Sequence, residues 1–137
     1  MQFENKLVAI LNKDIEPGIA MNSLAHMSIG LGANTGKAQL RLDTYVDKQG
    51  HELPFISQIP FIILRGKSGE IKKAVLQCRD QQISHSAFVN TMTGGTYLEQ
   101  LEKTKSSLEE ELTFYGCVMF GNWEIVSQIT KRFSLWK

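Results

Sequence analysis

The chain has 137 residues, 42% hydrophobic and 21% charged, with 15 Lys and Arg against 14 Asp and Glu for a formal charge of +1. That length suits one domain, since domains run to roughly 100–150 residues and at this size need no disulfide or metal staple, and the composition excludes a disordered chain. The balanced charge excludes the basic field of a dedicated nucleic-acid binder. Met1 to Lys6, with Glu4 and no apolar run, reads as neither a secretory signal nor a membrane span, so a soluble, cytoplasmic protein is expected.

Lys6 to Leu11 is a β-branched, apolar run that predicts a strand buried on both faces, as in a parallel sheet under helices. After Glu16-Pro17-Gly18, Met21, Leu24, Met27 or Ser28, and Leu31 recur near every 3.6 residues, which predicts a helix ending around Gly32 to Asn34. The pair Gly30 and Gly32 then reads as its cap and turn. Leu40 to Val46 alternates as a half-exposed edge strand, with turn chemistry at Asp47 to Gly50. Phe61 to Leu64 is a second buried strand, and Pro60 precedes it where a missing N–H is tolerated.

Gly66 to Gly69 leads into a helix with Ile71, Ala74 or Val75, and Cys78 inward and Lys72, Lys73 and Arg79 outward. Ile83 to Asn90 is a further strand. Thr96-x-x-Glu99 has the form of a capping box. The helix it opens carries Leu98, Leu101, Leu108 and Leu112 as a stripe. Glu109, Glu110 and Glu111 crowd its carboxyl end, where the dipole disfavours anions, so that turn should fray or attract a cation. Phe114 to Phe120 is an apolar strand containing Gly116, and Asn122 caps a last helix with Ile125, Val126, Ile129 and Phe133 inward. No repeat or linker interrupts residues 1–137, so one α/β domain is expected.

Three stretches together resemble a known family: Lys6–Asp14 running on to Asn22–His26, Ile59–Leu64, and Tyr115 through Gly121 to the closing Ser134-Leu135-Trp136-Lys137. They are similar to an uncharacterised, mostly bacterial family catalogued as domain of unknown function 2000, over nearly the whole chain. The resemblance implies the fold of class II peptidyl-tRNA hydrolases, a three-layer α/β/α sandwich around a small mixed sheet, and no assigned reaction. In those hydrolases an Asp-containing loop follows the first strand, and a Gly-Lys pair opens a helix bearing a His. Asp14 and His26 match the acid and the histidine, but Gly18-Ile19 stands at the Gly-Lys pair. Nothing like their Asp-Ala-Gly-Arg-Thr segment occurs between Ser84 and Thr113. Losing a cation that polarises an ester carbonyl removes most transition-state stabilisation.

Two groups of residues carry candidate chemistry. Asn12 and Asp14 leave a strand at its carboxyl edge, where open α/β sheets bind ligands. Asn22 and His26 are i,i+4 neighbours with Ser23 between them, so His26 is a candidate base and Asn12, Asn22 and Ser23 are candidate ligand contacts. The plainer alternative has Asn22 bracing the loop and His26 satisfying a backbone carbonyl. Thr91-Met92-Thr93-Gly94-Gly95-Thr96 opens a helix and offers an anion nest through Thr93, Gly94 and Thr96, or serves only as loop and cap. The basic residues Arg65, Lys67, Lys72, Lys73, Lys131, Arg132 and Lys137 read as solvated surface, and His51 and His85 show no partner in the sequence.

Cys78 and Cys117 lack metal-ligand spacing and read as buried, reduced thiols, so no metal and no cofactor is expected. The leading expectation is a small-molecule or anion-binding domain with its pocket between Asn12–Ser23 and Thr93–Thr96. A hydrolase of peptidyl-tRNA or another aminoacyl ester, using His26 and Asp14, is the first alternative. A non-catalytic interaction module built on the charged helix is the second. Whether the chain is an enzyme stays open. A homodimer suits such a fold, and neither a nucleic acid nor a membrane is the expected partner.

Overall fold

The computed structural model describes residues 3–137. The elements run β1 (Asn5–Asn12), α1 (Pro17–Thr35), β2 (Leu42–Val46), β3 (Glu52–Ser57), β4 (Phe61–Gly66), α2 (Ser68–Asp80), β5 (Ser84–Val89), α3 (Tyr97–Lys105), β6 (Phe114–Asn122), α4 (Trp123–Thr130) and β7 (Ser134–Leu135). Single 3-10 turns lie at Asn90–Met92 and Glu109–Glu111.

Five strands form a mixed sheet in the order β5-β6-β1-β4-β7. β1 pairs parallel with β4 and antiparallel with β6, which in turn pairs antiparallel with β5. β1, β4 and β5 therefore point the same way and end at one edge. The apolar run of β1 divides by the strand's period of two. Val8 and Ile10 pack with Ile71, Ala74, Val75 and Cys78 of α2 and with Val126 and Ile129 of α4. Leu7, Ala9 and Leu11 pack with Ala20, Met27 and Leu31 of α1. Helices thus cover both faces, and full burial of each of Leu7, Val8, Ile10 and Leu11 contributes about 1.5–3 kcal/mol.

Pro17 occupies the first turn of α1, where its missing N–H costs nothing. The helix runs on through Gly30 and Gly32 to Thr35, and Gly36, at φ 91°, is the residue that ends it. The predicted inner stripe of α1 is corrected by one residue. Ala20, Ser23, Met27 and Leu31 are buried, whereas Met21 is 64% exposed. Small residues at 20 and 23 allow the helix to approach the sheet, Met27 and Leu31 keep their expected inward places, and Met21 is left outside.

β2 is not an edge of the main sheet. It pairs with β3 alone as a separate two-stranded ribbon. β3 was not foreseen from the sequence, because Pro54 and the unalternating Leu53, Phe55 and Ile56 hide its period. The Asp47–Gly50 turn closes the ribbon, with the Asp47 carboxylate accepting from the N–H groups of Gln49 and His51 at 2.9 Å each. The backbone hydrogen bond from His51 is the main cause that holds the Asp47 carboxyl below its ordinary range.

The leucine stripe expected beyond Thr96 does not exist as a buried face. α3 stops at Lys105, and Leu98, Leu101 and Leu108 are exposed. The three glutamates lie past the helix, in a 3-10 turn, and Arg79 of α2 donates to Glu109. The expected conflict with the helix dipole therefore does not arise, since Lys103 and Lys105 occupy the last turn of α3. The Arg79 hydrogen bond, helped by Arg79 and Lys72 charge, lowers the Glu109 pKa from its ordinary 4.5. A depressed carboxyl stabilises above the unfolded value and loses that contribution as pH falls through the folded one. Because Arg79 is 53% exposed, the pair is worth only ~0.5 kcal/mol. Glu109→Gln should therefore remove about that much stability at pH 7 and almost none below the depressed folded value, in urea titrations at low salt. An equal loss at both pH values contradicts the pairing.

Cys78 and Cys117 are both buried and free. The neighbouring Cys78 thiol, followed by burial, pushes the Cys117 thiol well above its usual range, so it stays protonated.

Candidate functional site

α3 packs mainly on the 3-10 turn Asn90–Met92 and not on the sheet. Standing off in this way, it leaves a cleft against the α1 face of β5 at that strand's carboxyl end. The cleft has a volume of about 590 Å³. His26 and Met27 of α1 form one wall, and Ser86, Ala87 and Phe88 of β5 form the floor. Met92, Tyr97, Gln100, Leu101 and Thr104 close the far side. The last four share the spacing i, i+3, i+4, i+7, which is one face of a helix. Among the described residues no lysine or arginine lines this cleft.

An aromatic row organises the floor. The His26 ring stacks on Phe88 with centroids 6.0 Å apart and planes at 27°, and Phe88 stacks on Tyr115 at 6.4 Å and 23°. Tyr115 reaches this face through a β-bulge. Phe88 pairs with Gly116 and Val89 with Phe114, so Tyr115 is the extra residue and turns toward α1. Gly116 lets α1 come close, since a Cβ there would meet Met27 at 2.7 Å and the Ile10 carbonyl at 3.1 Å.

The polar groups of the far side are partly committed. Thr104 Oγ1 donates to the Gln100 carbonyl at 2.8 Å and lies 2.6 Å from Thr91 Oγ1. Gln100 Nε2 donates to the Gly94 carbonyl at 3.1 Å, which leaves its Oε1 as the acceptor on offer. The histidines also sort themselves. His51 Nδ1 lies 3.0 Å from Asp47 and His85 Nδ1 lies 2.8 Å from the Ile83 carbonyl, so both have the partners that the sequence did not reveal. His26 instead stacks at the mouth of the cleft.

Of the candidate site residues singled out in the sequence, His26 lines the cleft, and of the Thr91–Thr96 run only Met92 does. Asp14 and Asn22 are exposed, on the loop after β1 and on α1. Asn12 is buried, its Nδ2 donating to the Phe114 carbonyl at 2.9 Å while its Oδ1 accepts from the Asp14 N–H at 2.8 Å. Ser23 is buried and donates to the Ile19 carbonyl at 2.9 Å. Thr93 donates to the Asn90 carbonyl at 2.8 Å, and Gly94 adopts φ 70°. Thr96 and Glu99 exchange the two hydrogen bonds of a capping box, 3.1 and 3.2 Å long, and the Thr96 backbone bond lowers the Glu99 pKa. The Thr93–Thr96 loop therefore flanks the cleft, between Met92 and Tyr97. Ser86, Phe88, Tyr97, Gln100 and Thr104 were not singled out. The i, i+4, i+7 relation of Tyr97, Leu101 and Thr104 was their one signal.

The fold and cleft define a mixed α/β protein with a five-stranded sheet and four α-helices among the described residues. The family described as "Protein of unknown function (DUF2000)" matches residues 5–137, and the chain belongs to that family. A solved structure titled as the protein of unknown function Atu0240, from Agrobacterium tumefaciens strain C58, superposes with a TM-score of 0.86 at 20% identity. The match covers 99% of this chain and 100% of that one, and shows the shared fold. No curated protein matches the chain. Among the described residues no helix is long and apolar enough to cross a membrane.

Proposed function

We propose that the cleft between α1, β5 and α3 binds a small, uncharged, ring-bearing molecule. The observation that carries this reading is the His26–Phe88–Tyr115 row, which ends in the mouth of a mainly apolar cleft. A planar guest stacks against His26 and Tyr97, while Ser86 Oγ and Gln100 Oε1 select its polar edge. Without a lysine or arginine in the lining, a phosphate or carboxylate would enter unpaired, and that disfavours the anion alternative.

The test uses indole, followed by backbone amide NMR. Chemical-shift changes are expected at Ser86 to Phe88 and along Tyr97 to Thr104. His26→Ala and Tyr97→Ala, both at exposed positions, should each weaken indole about 5-fold, the value of one aromatic contact. Unchanged affinity in both variants, or shifts confined elsewhere, sinks the reading.

The second reading is hydrolysis of a peptidyl or aminoacyl ester on a class II peptidyl-tRNA hydrolase-like fold. It draws on Asp14 at the exit of β1 and His26 on α1. Ile19, exposed at the position of the hydrolases' lysine, weakens it. A turnover rate on N-acetyl-aminoacyl-tRNA that falls in His26→Ala would favour this reading, and background rates in both proteins would end it.

A further inference from the structure

A second recess lies at the opposite end of β5 from the aromatic cleft. It has a volume of about 360 Å³ and sits where β1 and β5 begin and α1 ends. The strand register builds its base. Ser84 pairs with Phe120 and Phe120 with Leu7, a row that the period of two turns to the α1 face, and Asn5 stands opposite Asn122 in the next row. Asn34 and Thr35 bring the last turn of α1 against this base, and Gln39 and Gln82 complete the rim. Half of the ten lining residues are asparagine or glutamine, and none of those described is charged. We propose that this recess binds a neutral polyhydroxyl ring, the chemistry of a monosaccharide.

Three observations select that chemistry. The first is the state of the amides. Among the described residues no hydrogen bond engages the side chains of Asn5, Asn34, Gln39 or Gln82, and Asn122 commits only its Oδ1, which accepts from the Ile125 N–H at 3.1 Å. Each carboxamide offers an acceptor and two donors, and a ring of hydroxyls, donor and acceptor at every position, answers such a rim. Phe120 adds an apolar patch that suits the C–H face of the ring. The second is charge. The lining supplies no cation for a phosphate or carboxylate and no carboxylate for a cation. The carboxyl end of α1, with no basic residue in its last turn, presents carbonyls that accept hydrogen bonds and repel an anion. The third is that polar groups are kept here at a cost. Thr35 Oγ1 is buried with no hydrogen-bond partner among the described residues. Gln82 holds φ 55° just after α2, at the left-handed position where a helix end commonly takes glycine.

Amide NMR of the full chain tests the proposal with D-glucose, D-mannose, D-ribose and myo-inositol, each to about 10 mM, which reveals dissociation constants up to the millimolar range. At least one of the four should shift the amides of Asn5, Ser84 and Phe120 to Asn122. For that compound, Asn34→Ala and Gln82→Gly should each raise the dissociation constant about 5-fold, the effect of losing a hydrogen bond. Both variants should stay folded, because alanine is the better helix former at exposed Asn34 and glycine suits the φ of residue 82. If either loses its circular dichroism, Gln39→Ala, at an exposed position of the rim, replaces it. Gln77→Ala, exposed on α2, should change nothing, and His26→Ala should leave sugar binding intact, which separates this recess from the aromatic cleft. The proposal is overturned if none of the four compounds shifts these amides, or if the rim variants bind as tightly as the wild type. Stronger shifts there with adenine than with every one of the four also overturn it, since a flat base is then the guest.

Discussion

Gly116→Val is expected to destabilise the protein by about 3 kcal/mol, a loss at the upper end of the overpacking range. The cause is contact on a side that cannot yield. A Cβ at residue 116 falls 3.1 Å from the Ile10 carbonyl and 3.2 Å from Leu11, on the central strand β1, as well as 2.7 Å from the Met27 methyl. The methionine is able to swing, but the carbonyl belongs to the β1–β6 ladder and is held by it. Gly116→Ala should cost less, ~1–2 kcal/mol, because it brings the Cβ contacts alone, without the two further methyls of valine. Met27 is also a wall of the cleft, so the alanine variant should weaken indole while remaining folded. Urea denaturation supplies the stabilities, and a loss under about 1 kcal/mol for valine contradicts the close approach of α1 described here.

Asn12→Leu should cost about 2–3 kcal/mol, because it strands a buried backbone carbonyl and removes the acceptor of a part-buried N–H. The Phe114 carbonyl loses its donor from Nδ2, and the Asp14 N–H loses Oδ1. Asn12→Asp sharpens the test. Its ionised carboxylate faces the Phe114 carbonyl in a buried site, so the folded-state pKa rises above the unfolded value. A raised carboxyl stabilises only below the unfolded pKa, and that advantage is lost as pH rises through the folded pKa. The aspartate variant should therefore be closest to wild type at the acid end and fall behind it as pH increases. If both variants keep wild-type stability at pH 7 and lose only indole binding, Asn12 is a ligand contact and the structural account of it is wrong.

The parts of the fold that were legible in the sequence are those with local causes. Five consecutive apolar residues from Leu7 to Leu11 have no solution but burial on both faces. Thr96 with Glu99, and Asn122 before Trp123, are caps written within one turn, and both form. Met27 and Leu31 were placed correctly on the buried face of α1, but its first half was misjudged because Ala20 and Ser23 carry little hydrophobic signal. They are inside for being small, a requirement set by the sheet beneath them. The ribbon escaped because its apolar residues have no interior to alternate against. The cleft was the hardest part. His26 stood out alone, but its partner Phe88 arrives through the β5 pairing and Tyr115 through a bulge. Leu98 and Leu101 drew attention to α3 as a core helix when the informative face was Tyr97, Gln100, Leu101 and Thr104.

The place of β1 at the centre of the sheet governs how the chain folds as well as what it buries. Its antiparallel neighbour β6 is so distant in sequence that the Asn12–Phe114 contact spans 102 residues. β1 is synthesised well before β6 and thus waits, apolar on both faces, for that partner. Its parallel neighbour β4 arrives sooner, and α1 shields one face meanwhile. Pairing across such separations demands loop closure before any contact repays it, which makes for slow folding and an aggregation-exposed intermediate. The β1–α1–β4 unit is the segment of the nascent chain with most need of a chaperone.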